Sequence, residues 1–106
     1  DMHAATAMAG SGPAYVFLFA EALAEAGVRA GLSPDQAAAF ARETLSGAAA
    51  LLDAPGADPT ALRNAVTSPG GTTAAALDVL MKDDALVTLL TRAVQAAARR
   101  SEELGS

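Results

Sequence analysis

The chain has 106 residues, a formal net charge of −5 and 52% apolar residues, a length that suits one domain. Twenty-nine of those residues are alanine, isoleucine is absent and only four residues are aromatic, which favours close helix packing over a sheet built from β-branched and aromatic side chains. Seven scattered basic residues exclude the positive patch that nucleic acid needs, and the lack of cysteine excludes disulfides and thiolate metal sites and fits a reducing cytoplasm.

The composition predicts an all-α chain, and the helices can be taken in order. His3 stands alone near the start and reads as part of a solvated tail; a metal site would need companions. Ser11, Gly12 and Pro13 read as a capped helix start with proline in the first turn, where its missing N–H is harmless. The first helix is predicted over 12–30. Its charges, Glu21, Glu25 and Arg29, fall four apart on one stripe, and the rest of its circumference is apolar. Such a helix wants to be surrounded, and a chain this short assigns part of the surrounding to a second copy of itself. Tyr15, Phe17 and Phe19 accordingly read as core or interface. The apolar run 12–20 stops at Glu21, short of the roughly 18–20 residues of a membrane span, so no membrane partner is expected.

Gly31 reads as a left-handed helix terminator. Ser33-Pro34-Asp35-Gln36 has the form of a capping box with proline at the first helical position. Ala37, Phe40, Ala41, Thr44, Ala48, Leu51 and Leu52 follow at helical spacing, which predicts a second helix over 34–53. The segment 53–58, Asp-Ala-Pro-Gly-Ala-Asp, breaks the chain, and Asp58 with Pro59 caps a short third helix. A fourth is predicted from Thr72 to Met81 and a fifth, after a restart at 82–84, to about residue 103. Five helices with short connections predict an antiparallel bundle.

Between the third and fourth helices lies Thr67-Ser68-Pro69-Gly70-Gly71-Thr72-Thr73. A helix start offers unpaired N–H groups and partial positive charge. Glycine lets a ligand approach the main chain, and Ser68, Thr72 and Thr73 add hydroxyls. No lysine stands where a phosphate-binding loop would have one, so a small carboxylate suits the turn better than a triphosphate. Read blandly, the same residues are a turn and a cap. No nucleophile-base pair and no dinucleotide-binding glycine motif can be assembled.

The stretches Ala9–Leu32, Thr44–Leu52 and Leu62–Leu80 together, above all Val-Thr-Ser-Pro-Gly-Gly-Thr-Thr after Gly-Ser-Gly-Pro-Ala-Tyr, closely resemble the carboxy-terminal domain of pyrroline-5-carboxylate reductases. The resemblance runs from about Thr6 to Leu104. It implies a helical domain interlocked with its twin in a homodimer, possibly assembled further into a decamer. It also implies a separate amino-terminal Rossmann domain for NAD(P)H that residues 1–106 do not contain. These residues alone are therefore expected to bind no cofactor and no metal and to be inactive, while the parent enzyme reduces 1-pyrroline-5-carboxylate to proline. By the same resemblance Ser68, Gly70 and the amides of Gly71, Thr72 and Thr73 hold the substrate carboxylate, and the Thr73 hydroxyl, the catalytic candidate, lies near the ring nitrogen. Ala9 stands where the family more often has serine, and His3 where an acidic residue is common. The alternative is a purely structural helical dimerisation module without a ligand. A β-hydroxyacid dehydrogenase domain is disfavoured, because the only lysine, Lys82, falls in a break between helices and not on one.

Overall fold

The computed structural model describes residues 1–105. Among them every regular element is helical, in the order α1 Met2–Ala5, a π-helical turn Thr6–Gly10, α2 Gly12–Arg29, α3 Pro34–Leu52, α4 Pro59–Ala65, α5 Thr72–Met81, a short 3₁₀ turn Lys82–Asp84 and α6 Ala85–Gly105. The all-α expectation and the positions of α2 to α6 are met to within two residues.

The local chemistry explains most boundaries. At the end of α2, Gly31 has φ +111°. The Leu32 N–H donates to the Gly27 carbonyl and the Gly31 N–H to the Val28 carbonyl, both at 3.0 Å, a complete Schellman closure. At the start of α3, Ser33 Oγ accepts from the Gln36 N–H and Gln36 Oε1 accepts from the Ser33 N–H, each at 3.2 Å, so the capping box is closed both ways. Asp58 Oδ2 accepts from the Ala61 N–H at 3.0 Å and caps α4.

The amino end departs from expectation. Asp1 caps α1 by accepting from the His3 and Ala4 N–H groups at 2.7 and 2.9 Å, so the segment read as a tail is helical. Ser11 has α-region backbone angles, φ −88° and ψ −24°, and its N–H donates to the Thr6 carbonyl at 3.0 Å. It is therefore no helix start. Pro13 has no N–H for the carbonyl four residues back, and the wider π turn just before it is a common way for helices to absorb such a mismatch. Helical turns consequently extend from Met2 to Arg29, long and apolar enough by length and composition to cross a membrane, with a window of mean hydropathy 1.2. The run ending at Glu21 understated this length because it began at Gly12.

The chain divides into two compact units. In the unit of residues 14–65, α2 and α3 approach at small side chains. A Cβ added at Gly27 would lie 3.2 Å from Ala37 Cβ and 3.3 Å from Leu32 Cδ1, and Ala37 and Ala41, one turn apart on α3, are the buried residues. An apolar groove of about 410 Å³ runs beside them, lined by Ala20, Ala24, Ala38, Ala41 and Leu45 together with Glu21 and Arg42. In the unit of residues 1–13 and 66–106, α1 and the π turn lie against α6, and α5 lies against α6 as well. Ala7 is fully buried there. His3, half-buried, has Nδ1 2.8 Å from Ser101 Oγ on α6, which corrects its reading as a solvated tail.

Among the described residues these three alanines are the whole buried core. Phe40, Leu51 and Leu52, which the periodicity of α3 marked as apolar-face positions, are exposed, as are Phe17 and Phe19.

Candidate substrate loop

The loop between α4 and α5 is set by a glycine turn. Ser68, Pro69, Gly70 and Gly71 form a four-residue turn closed by the Gly71 N–H donating to the Ser68 carbonyl at 3.0 Å. Pro69 takes the second position, which suits its fixed φ, and Gly70 takes the third with φ +72°, the signature of a type II turn. An L-side chain at Gly70 would be strained there. Gly71 needs no positive φ, being extended at φ −86° and ψ −176°. Its constraint is room, because an added Cβ would meet the Ser68 carbonyl oxygen at 3.2 Å.

Gly71 is also the N-cap of α5, and its carbonyl accepts from the Ala75 N–H at 3.2 Å. No side chain caps this helix. Ser33 and Asp58 cap α3 and α4 with their own oxygens, whereas the start of α5 leaves its first amides without that service. Ser68, Gly70 and Thr72 are exposed, and Gly71 and Thr73 half-buried, so the five candidate residues form one accessible stretch. The arrangement can accept a small anion on the Thr72 and Thr73 amides, helped by the helix dipole. The Gly71 amide is different, because the turn already uses it. An acid could share that donor only by loosening the turn.

Two features were not anticipated. One is the His3 and Ser101 contact, which joins positions 98 apart and leaves no local trace in the sequence. The other lies at the far end of α5. Asp83 and Asp84 both have positive φ, +54° and +53°, and the Ala85 N–H donates to the Lys82 carbonyl. The available signal was the aspartate pair, since aspartate is among the few residues that tolerate this region. Among the described residues no group of three His, Cys, Asp or Glu side chains is placed to hold a metal ion.

A helical scaffold whose apolar faces stay open, with a loop whose helix-start amides no side chain caps, defines a helical association domain. The family model for pyrroline-5-carboxylate reductase dimerisation matches residues 1–104, and the chain belongs to that family. It is 50% identical over 101 residues to the pyrroline-5-carboxylate reductase of Arabidopsis thaliana, covering 95% of this chain and 36% of that protein. With the enzyme of Corynebacterium melassecola it is 48% identical over 105 residues, covering 99% and 38%. Among solved structures it is similar to the Plasmodium falciparum pyrroline carboxylate reductase with NADP bound, at TM-score 0.90 and 38% identity, covering 100% of this chain and 40% of that one. The Coxiella burnetii enzyme gives TM-score 0.89 and 41% identity, covering 96% and 37%. The chain thus spans little more than a third of the length of the curated relatives it matches.

Proposed function

We propose that this chain supplies the dimer interface and the substrate-carboxylate loop of a reductase that converts 1-pyrroline-5-carboxylate to L-proline with NAD(P)H. The observation that carries the reading is the exposed start of α5, where a type II turn delivers main-chain amides that no side chain caps. The relatives of similar sequence are reductases of this substrate by name.

The surface of the chain supports the dimer. Large apolar side chains from Met2 to Leu104 stay exposed, while among the described residues only three alanines are buried. On this reading the apolar length of Met2–Arg29 is covered by a partner's helices and not by lipid. Val16, Phe17, Leu18 and Phe19 are successive and all exposed, and successive helical positions point about 100° apart. A partner must therefore wrap this part of α2 rather than rest on one side, as an interlocked dimer would.

At the loop, the substrate carboxylate docks on the Thr72 and Thr73 amides, with Ser68 Oγ as a further donor. This fixes the ring so that the imine carbon faces the cofactor, and positioning of that kind lowers the barrier to transfer. The nicotinamide, held by another domain, supplies the hydride. Thr73 Oγ1 stands beside the ring nitrogen and steadies its proton. The Thr73→Ala variant of the complete reductase tests the assignment. Turnover is expected to fall by about 10- to 100-fold, the scale of one hydrogen bond to a charged group, with the melting temperature nearly unchanged. Unaltered kinetics would remove Thr73 and favour the second reading, a purely structural dimerisation module, which the prior engagement of the Gly71 amide supports.

A further inference from the structure

We infer that the corner between α5 and α6, built on two successive left-handed aspartates, is a positioning device for the substrate loop at the opposite end of α5. The inference rests on the proposed role of that loop. Lys82 leaves α5 with extended angles, φ −59° and ψ +129°, and Asp83 follows at φ +54° and ψ +35°. Asp84 has φ +53°, and the Ala85 N–H closes the turn on the Lys82 carbonyl. Positive φ at both central residues is the pattern of a type I′ turn, which glycine and asparagine fill most readily. Non-glycine residues occupy it at a cost.

Helix α5 has no buried residue. It lies on α6 and on this corner, so its direction depends on how the chain turns at Asp83 and Asp84 more than on a core of its own. Ten residues of α-helix make a rod of about 15 Å. By that length a tilt of about 4° at the corner moves the amino end by about 1 Å, enough to spoil hydrogen bonds from the Thr72 and Thr73 amides, whose geometry tolerates only a few tenths of an ångström. The corner thus works through the amides and touches no substrate. Misplaced amides loosen the hold on the carboxylate, so the substrate KM rises, and the poorer alignment of the imine carbon lowers kcat as well.

The test is a series at Asp83 in the complete reductase, with pyrroline-5-carboxylate and NADPH varied separately. Asp83→Gly and Asp83→Asn, which accept positive φ, keep the substrate KM within about twofold of the parent. Asp83→Val, which rejects it, raises that KM by about tenfold, with the KM for NADPH held. If the valine variant does not fold, Asp83→Ala carries the comparison with a smaller rise in the same direction. A flat KM across the series overturns the inference. So does an equal rise in the glycine and valine variants, which would assign the effect to lost charge and not to backbone shape. When Thr73→Ala impairs turnover and the Asp83 series is flat, the corner alone is refuted. When Thr73→Ala is silent, the corner falls with the loop.

Discussion

Phe17 offers the sharpest test of the proposed dimer. Its side chain sits on α2 with 68% of its surface open, so within a single copy its removal should change stability by no more than about 0.5 kcal/mol, as for other surface positions. In a dimer that covers it, the same substitution uncovers apolar surface. Full burial of a phenylalanine side chain is worth about 1.5–3 kcal/mol, and scaling by the exposed fraction leaves roughly 1–2 kcal/mol still to be gained at the interface. A two-fold dimer repeats the contact in both copies, which brings the loss for Phe17→Ala to about 2–4 kcal/mol and weakens association by about 30-fold to several hundred-fold. Sedimentation equilibrium over a dilution series gives the dissociation constant directly, and circular dichroism on the same samples follows the fold. Since three alanines form the only buried core among the described residues, helicity and association should be lost together on dilution. A parent chain that stays monomeric and folded at micromolar concentration would refute the reasoning, as would an unchanged dissociation constant for Phe17→Ala.

Two local substitutions test the turn chemistry. Gly70→Ala places a side chain at φ +72° and should lower stability by about 1–2 kcal/mol in urea titration; an unaffected midpoint would mean that the turn is not of this type. Ser33→Ala removes one half of the capping box on α3 and should cost about 1 kcal/mol, or roughly 4–8 °C in the melting temperature of a domain this small. Thermal unfolding monitored at 222 nm would show the shift, and its absence would mean that the Gln36 amide finds equal satisfaction elsewhere.

The elements that could be read in advance are those whose cause is local. Ser33, Pro34 and Gln36 carry the start of α3 within four residues, and Gly31 carries the end of α2 through hydrogen bonds that reach back only five. Ser68 to Thr73 likewise contain their turn, with proline and glycine at the two positions whose backbone angles demand them. That reading could not show that Gly71 donates inward to Ser68, because the distance between a carbonyl and an amide three residues on depends on how tightly the turn closes.

Three things belonged to the tertiary structure. Ser11, Gly12 and Pro13 have the chemistry of a helix start, yet helical turns already precede them, since Ala7 is buried in the unit that α6 completes and draws α1 and the π turn into place. His3 looks like a tail residue until Ser101, 98 positions away, stands within hydrogen-bond distance. The apolar circumference of α2 and the periodicity of α3 mark side chains with a need for burial, yet Phe17, Phe40, Leu51 and Leu52 are exposed within the chain. Such a pattern carries no information on which molecule does the covering. A sequence determines the need for burial because that need is a property of each side chain; only the folded chain decides whether its own mass is enough, and here, among the described residues, three alanines are buried while Phe17, Phe40, Leu51 and Leu52 stay exposed.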